Sequence, residues 1–188
     1  MIKAIVFDCF GVLYGTSLDR LVAMAPAGRA AEVRDSNTAK DYGYITHEEH
    51  LAQVADIIGM PVAEVSTIMD AGHVPNEPLI QEVKRLRQHF KTGLLSNINE
   101  HLYNEVFGGR ADELFDVAVL SYREGLIKPS PELFQLTIER LGVTPDEAIM
   151  IDDLPSNCDG AAVIGMHPIL HTNNALTMAR IAELTKAQ

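Results

Sequence analysis

The stretch IVFDCFGVLY, residues 5 to 14, decides the fold because a run of strand-forming apolar residues ends in it at a carboxylate. Ile5, Val6 and Phe7 are typical of a strand that is buried on both faces of a sheet. Asp8 follows where this strand ends, and Gly11 allows the chain to turn sharply. The stretch therefore predicts the first strand of a parallel sheet, with an acidic residue at its carboxyl end.

Four later apolar runs repeat this pattern and are separated by helical segments. The predicted strands are TGLLSN at 92–97, FDVAVLS at 115–121, EAIMIDD at 147–153 and HPILH at 167–171. One predicted helix begins at Asn76 with Pro78 in its first turn, and another begins at Ser130 and Pro131 and ends at Gly142. Strands that alternate with helices imply right-handed crossovers and a parallel sheet covered on both faces. The predicted fold class is α/β.

The segment 15–72 interrupts this alternation because it contains no convincing strand. Thr46 and Glu49 form a capping-box pattern, and apolar residues follow them at helical spacing. We therefore predict an all-helical insertion at 15–72 and a core made of 1–14 and 73–188. Such an insertion would lie above the carboxyl ends of the strands, where open α/β sheets bind ligands.

Composition and charge exclude several classes of partner. The 188 residues carry a net charge of −11, which disfavours binding to the phosphates of a nucleic acid. No apolar run approaches the roughly 18 residues of a membrane span, and no signal-peptide pattern is present. These features predict a cytoplasmic protein without nucleic-acid or membrane partners, in which Cys9 and Cys158 stay reduced. The sequence leaves the oligomeric state open.

Six polar residues lie at or beyond the carboxyl ends of the first four predicted strands. They are Asp8, Ser96, Asn97, Lys128, Asp152 and Asp153. Each of them alone is typical of a turn, a cap or a solvated loop. Parallel strands bring their carboxyl ends to one edge of a sheet, however, so we expect carboxylates, a hydroxyl and a lysine to meet in one cleft.

The segments FDCFGVL, LLSN, GLIKPSPELF and IMIDDLPSNCDGAAVIGM, in this order, resemble the four motifs of the haloacid dehalogenase-like hydrolase superfamily. The resemblance covers residues 2 to about 170, and the last two segments are long and specific. Most members of this superfamily are phosphatases. The resemblance implies a Rossmann-like three-layer core, a small helical cap at 15–72, a Mg²⁺ cofactor and phosphoryl transfer through an aspartyl-phosphate.

The resemblance also implies roles for the acidic residues. Asp8 would attack phosphorus, which replaces one difficult displacement by two easier ones. The implied Mg²⁺ ligands are Asp8, the backbone carbonyl of Phe10 and an aspartate of the fourth motif. The spacing back from Gly165 ranks Asp153 as the direct ligand and Asp152 as a ligand through water or an outer contact.

The remaining implied roles concern the phosphate. Ser96 and the backbone N–H of Asn97 would hold phosphoryl oxygens at a helix N-terminus. Lys128 would act as a positive charge on both the phosphate and Asp8. We expect this lysine to lower the pKa of Asp8 and to keep the nucleophile ionised.

Phe10 departs from the family pattern, which usually has a second aspartate there to protonate the leaving oxygen and then activate water. A phenyl ring does neither, and loss of such a group typically costs about 10²- to 10⁴-fold in rate. The metal ligand at this position is a main-chain carbonyl, which phenylalanine also supplies. A histidine such as His47 or His73 is an alternative source of the missing acid.

Two alternative functions stay open at this stage. A 2-haloacid dehalogenase commonly has an aromatic residue at the position of Phe10 and uses no metal, but the adjacent Asp152 and Asp153 would then repel Asp8 without a cation. Arg34 is the nearest candidate for a halide-binding residue. The second alternative is a catalytically weak relative that binds a phosphorylated ligand or a protein.

The substrate expected from the family is a small phosphomonoester, such as a sugar phosphate. The cap would select it and would open and close at linkers near Gly15 and Gly72. Candidate residues of the cap that face the cleft are Tyr14, Thr16, Ser17, Tyr42, Tyr44 and His47.

Overall fold

The computed structural model describes residues 1–186 and divides the chain into two units. The core unit joins Met1–Tyr14 to Pro75–Gln188, and the helical unit is the intervening segment Gly15–Val74. Each unit contains its own buried apolar side chains. Cys9 and Cys158 are both free and buried, as predicted.

The helical unit contains helices α1 (Leu18–Met24), α2 (Ala30–Asp41), α3 (His47–Ile58) and α4 (Val62–Asp70). The predicted capping box begins α3, because Glu49 N donates to Thr46 Oγ1 at 3.1 Å and Thr46 N donates to the Glu49 carboxylate at 2.7 Å. Within residues 1–186, no helix taken alone has the length and apolar composition to cross a membrane. The pair α3 and α4 passes that test only together, with a bend of 110° between them.

Part of the interior of the helical unit is polar. Ser36 on α2 donates to Gln53 Oε1 at 2.8 Å and lies 2.9 Å from His50 Nδ1. Lys40, also on α2, is buried and donates to Asn37 Oδ1 at 3.0 Å. Burial lowers the pKa of His50 to about 4, so this ring is neutral at pH 7. The buried face of α2 therefore mixes polar with apolar side chains, and apolar spacing alone does not reveal this helix.

Several helical-unit residues that the sequence suggested for the cleft make local contacts. Leu18 N donates to Thr16 Oγ1 at 3.2 Å, and the buried Ser17 hydroxyl donates to Met69 O at 3.3 Å. The rings of Tyr42 and Tyr44 stack on each other at 5.1 Å. Thr16 and Ser17 thus help to fix the start of α1 within this unit.

The core unit is built on five parallel strands. They are β1 (Ala4–Phe7), β2 (Lys91–Ser96), β3 (Val117–Leu120), β4 (Ala148–Asp152) and β5 (His167–Leu170). Their order in the sheet is β3-β2-β1-β4-β5, and Phe7 of β1 stands in register with Leu94 of β2 and Ile151 of β4. The carboxyl ends of these three central strands therefore lie side by side, and the predicted α/β class is confirmed.

Helices cover both faces of the sheet. The helices of the core unit are α5 (Glu77–Leu86), α6 (Glu100–Phe107), α7 (Ala111–Leu114), α8 (Ser121–Glu124), α9 (Pro131–Leu141), α10 (Pro155–Val163) and α11 (Asn174–Lys186). Ile5 and Phe7 pack in one apolar cluster with residues of α5, α6, α7 and α11. Ala4 and Val6 pack in a second cluster with residues of α9 and α10. Alternate β1 residues thus face opposite helical layers, which gives three layers.

The predicted helix ends are partly right. Gly142 ends α9 in the left-handed conformation, with φ of 64°, as expected of a C-terminal glycine. Asn76 and Ser130 hold the N-cap positions of α5 and α9, but neither side chain caps its helix. The Asn76 amide instead donates to Val12 O at 2.8 Å, so it joins α5 to the segment after β1.

Tyr14 belongs to the apolar core, although the sequence suggested that it faces a ligand cleft. Its side chain is buried, and its hydroxyl donates to Val106 O at 2.6 Å. Its ring meets the ring of Phe107 edge-on, with centroids 5.6 Å apart. The tyrosine is thus fully used in packing the segment after β1 against α6.

Candidate active site

The carboxyl ends of β1 and β4 bring two carboxylates to one buried lysine. Asp8 directly follows β1, and Asp152 is the last residue of the neighbouring β4. Lys128 Nζ lies 2.8 Å from Asp8 Oδ1 and 2.6 Å from Asp152 Oδ2. The Lys128 residue is only 2% exposed, and both carboxylates are buried. The structure therefore joins three of the predicted site residues in one ionic cluster.

Both carboxylate oxygens of Asp152 accept hydrogen bonds from the protein. Its Oδ2 accepts from Lys128, and its Oδ1 accepts from Leu154 N at 3.0 Å and from Asn157 Nδ2 at 2.9 Å. Charge-assisted bonds of this kind fix a carboxylate firmly. Because both of its oxygens are engaged, Asp152 is better placed to orient Lys128 than to bind an ion directly.

Asp153 lies against Gly11, in the turn that follows β1. A Cβ atom placed on Gly11 would lie 2.2 Å from Asp153 Oδ2, and Gly11 has a φ of +83° that side chains rarely adopt. The glycine is therefore required twice, for its backbone conformation and for the space that the carboxylate occupies. Asp8, Asp152 and Asp153 each have an oxygen within 4.8 Å of the other two.

Its buried position in this cluster gives Asp8 an unexpected pKa. Burial is the largest effect and raises the pKa of Asp8 to about 7, with Asp152 and Asp153 adding to the rise. Lys128 lowers the pKa of Asp8, as predicted, but it does not outweigh burial. The prediction that Lys128 keeps this nucleophile ionised therefore does not hold below about pH 7 without a metal ion.

Ser96 and Asn97 reach the same edge of the sheet from β2. Ser96 is 1% exposed, and its hydroxyl has no hydrogen-bond partner among residues 1–186. A buried hydroxyl without a partner is costly in an unliganded protein. It is therefore a group that a ligand oxygen would satisfy.

The side chain of Asn97 has a role that the sequence did not indicate. Its Oδ1 accepts from Lys128 N at 2.8 Å, and its Nδ2 donates to Lys128 O at 3.0 Å. This pair of bonds fixes the main chain of Lys128 beside β2. The family resemblance implied a role only for the backbone N–H of Asn97. Its side-chain role could not be predicted, because the partner lies 31 residues further along the chain.

The donor set of this cluster fits a small hard cation. Carboxylate and carbonyl oxygens are the ligands that Mg²⁺ takes in proteins. Three carboxylates have oxygens within 4.8 Å of one another here and one lysine contacts two of them, so the site carries more acidic than basic groups before any cation binds. Since Asp152 is already saturated with hydrogen bonds, Asp8 and Asp153 are the carboxylates that could hold the ion.

Comparison with known proteins gives relatives of several kinds. The chain is 34% identical over 137 residues to acyl-CoA dehydrogenase family member 10 of Mus musculus, which covers 68% of this chain but only 13% of that protein's length. It is 27% identical over 198 residues to D-ribitol-5-phosphate phosphatase of Bacteroides thetaiotaomicron, which covers 93% of this chain and 94% of the phosphatase.

Solved structures and a family description agree on the fold. A HAD family enzyme from Bacteroides thetaiotaomicron, crystallised with magnesium and inorganic phosphate, superposes with a TM-score of 0.70 at 22% identity. The alignment covers 90% of this chain and 93% of that one. The family model described as haloacid dehalogenase-like hydrolase matches residues 2–165, which include β1 to β4 and the ionic cluster. This chain is therefore a member of the haloacid dehalogenase-like hydrolase family.

Proposed function

We propose that this hydrolase is a Mg²⁺-dependent phosphatase that cleaves a small phosphomonoester through an aspartyl-phosphate on Asp8. The observation that supports the proposal most strongly is the cluster of Asp8, Asp152 and Asp153, in which Asp8 and Asp152 share a single buried lysine. Adjacent buried carboxylates repel one another unless a cation joins them. A dehalogenase needs no such cation for attack on carbon, so the cluster favours metal-dependent phosphoryl transfer.

Asp8, Asp153 and the main-chain carbonyl of Phe10 would hold the Mg²⁺ ion. When bound, Mg²⁺ would supply positive charge that neutralises the phosphoryl oxygens, so that the carboxylate can approach phosphorus. Asp152 would act from outside this set, because its hydrogen bonds orient Lys128. A structural relative crystallised with magnesium and inorganic phosphate supports Mg²⁺ as the cofactor.

A substitution at Gly11 tests Asp153 as a ligand. We expect Gly11→Ala to weaken Mg²⁺ binding at least about tenfold, because the new Cβ would overlap the Asp153 carboxylate. Isothermal titration with Mg²⁺ measures this change. The matched control is Gly109→Ala, since Gly109 has the same φ of +83° but no atom within 4 Å of the added Cβ. Equal Mg²⁺ affinity in the two variants would remove Asp153 from the ligand set.

Asp8 would attack with Oδ2, since both hydrogen bonds given to this carboxylate end on Oδ1, from Cys9 N at 2.6 Å and from Lys128. A bond forms between Oδ2 and phosphorus while the bond from phosphorus to the alcohol oxygen breaks. The departing alkoxide takes a proton from solvent. Water then attacks the same phosphorus and gives up a proton to solvent while the bond from phosphorus to Oδ2 breaks, which releases inorganic phosphate and restores Asp8. The Ser96 hydroxyl, the Asn97 N–H and Lys128 would hold the phosphoryl oxygens throughout.

Phe10 cannot protonate the departing alcohol, so the rate should depend strongly on the leaving group. We expect Phe10→Asp to raise kcat/KM for an alkyl phosphate about tenfold or more, and to change an aryl phosphate much less, because only the alkoxide needs a proton as it leaves. Rates with glycerol phosphate and with 4-nitrophenyl phosphate measure the difference. The control is Phe10→Leu, which keeps the position apolar. If Phe10→Asp and Phe10→Leu behave alike, another group already supplies the proton.

The direct test of function is phosphate release from 4-nitrophenyl phosphate and a panel of sugar and polyol phosphates, with Mg²⁺ and with EDTA. We expect release with Mg²⁺ only. The ribitol-5-phosphate phosphatase relative makes polyol phosphates the first substrates to try. No release from any phosphoester, by protein that binds Mg²⁺, would reject the phosphatase and favour a ligand-binding relative.

The dehalogenase alternative rests on Phe10 and on Arg34. Arg34 lies 3.3 Å from Asp19 in an exposed salt bridge of the helical unit, so it already has an anionic partner. Halide release from 2-chloropropionate in EDTA, without phosphate release from the panel, would support this alternative.

A further inference from the structure

We propose that Arg123 forms a second anion-binding subsite, which selects phosphomonoesters that carry a further negative group. Arg123 Cζ lies 5.1 Å from the ring centroid of Tyr103 and 5.3 Å from that of Tyr122, and Nε donates to the Tyr122 hydroxyl at 2.8 Å. Two aromatic rings and one hydrogen bond thus hold a guanidinium group in place. This inference rests on the proposed phosphatase function.

Arg123 differs from most arginines of the chain in having no carboxylate partner. Six of the nine arginines form salt bridges with aspartate or glutamate, whereas Arg123 forms none within residues 1–186. This is unexpected for an exposed cation in a chain with 26 acidic residues. Nε is the only nitrogen of the group with a hydrogen bond in this range, so the Nη atoms are available to an anion.

The position of Arg123 places it on the same edge of the sheet as the phosphate site. It lies in α8, which begins directly after the carboxyl end of β3. Ser121 Oγ accepts from Ile98 N at 2.9 Å and donates to Ile98 O at 3.0 Å. These bonds hold the start of α8 against Ile98, which follows Ser96 by two residues. Tyr103 stands near the start of α6, and helical side chains lean towards the helix N-terminus.

The chemistry of the subsite follows from the guanidinium group. Arginine binds carboxylate and phosphate with two parallel N–H bonds, and a group held in advance loses less entropy on binding. A small substrate with a phosphate at one end and a carboxylate or second phosphate at the other would satisfy both sites. Such bonds to charged groups are worth about 1.5–3 kcal/mol, or roughly ten- to hundredfold in affinity.

The test compares substrates that differ only in the second anionic group. The pairs are 3-phosphoglycerate with glycerol 3-phosphate, for a carboxylate, and fructose 1,6-bisphosphate with fructose 6-phosphate, for a phosphate. We expect Arg123→Gln to lower the ratio of kcat/KM within at least one pair about ten- to hundredfold. Arg110→Gln should leave both ratios unchanged, because Arg110 is also exposed and without a salt bridge in residues 1–186 but follows the far end of α6.

Unchanged ratios in Arg123→Gln would overturn the subsite even if phosphatase activity is present. A binding measurement separates this outcome from failure of the proposed function. We expect Asp8→Asn protein to bind 3-phosphoglycerate or fructose 1,6-bisphosphate more tightly in calorimetry than the counterpart that lacks the second anionic group, and to lose that preference when Arg123→Gln is added. Equal affinities within both pairs for Asp8→Asn protein would overturn the subsite, whether or not the wild type releases phosphate.

Discussion

Lys128→Met is expected to lower kcat/KM for 4-nitrophenyl phosphate by at least about 10³-fold and to destabilise the fold. Lys128 Nζ contacts the buried carboxylates Asp8 and Asp152 at 2.8 and 2.6 Å. Removal of one partner from a buried ion pair typically costs about 3–5 kcal/mol, because the remaining charge has no compensation. The activity falls as well, since the variant lacks the positive charge that would face the phosphoryl oxygens.

Urea unfolding in EDTA at pH 8 measures the stability part of this prediction. Lys84→Met is the matched control, because Lys84 forms an exposed salt bridge with Glu113 at 3.6 Å. Exposed pairs of this kind contribute about 0–1 kcal/mol. If Lys128→Met unfolds at the same urea concentration as Lys84→Met, the buried cluster contributes little to the fold.

The strands were predictable because burial on both faces demands continuous apolar runs. Each of the five predicted runs overlaps an observed strand, and the register of the strands places the carboxyl ends of β1, β2 and β4 together. From this topology alone, the meeting of Asp8 and Asp152 could be expected, whereas Lys128 follows β3 and α8 and could be placed only at the same edge of the sheet. The family motifs added roles for these residues that spacing alone does not supply.

Helix α2 could not be predicted in the same way, because its buried face carries Ser36 and Lys40 beside Val33. A search for apolar spacing misses a helix whose buried face carries polar side chains, such as Ser36, which donates a hydrogen bond to Gln53. By contrast, α3 was predictable because its start is encoded locally by Thr46 and Glu49.

The site details that escaped prediction depend on contacts distant in sequence. Asn97 clamps the main chain of Lys128, and Asp152 accepts bonds from Leu154 and Asn157. The direction of the pKa shift of Asp8 also depends on how completely packing removes water. Such burial is a property of the assembled fold. The sequence therefore identified the charged neighbours of Asp8, but not whether burial or Lys128 has the larger effect on its pKa.

Asp8→Asn is expected to abolish phosphate release and, at the same time, to stabilise the metal-free protein above pH 7. The loss of release follows because an amide cannot form the acyl phosphate, and we expect less than about 10⁻³ of the wild-type rate. The gain in stability follows because the substitution removes one of the carboxylates that share a single lysine. Residual release equal to that of the wild type would reject Asp8 as the nucleophile.

The sign of the pH dependence follows from the pKa of Asp8, which rises from 3.8 to about 7 in the metal-free fold. Between about pH 4 and 7 the Asp8 carboxyl of the folded protein keeps a proton that the unfolded chain has lost, so the contribution of Asp8 to the free energy of unfolding falls as pH rises. Asp8→Asn should lack this fall and should be more stable than wild type by a few kcal/mol at pH 8.

Urea unfolding in EDTA at several pH values measures the free energy of unfolding of both proteins. Mg²⁺ should reduce the difference in the free energy of unfolding between the two proteins at pH 8, because an ion that binds only the folded wild type stabilises it. If the two curves run parallel from pH 4 to 8, burial does not govern the charge of Asp8.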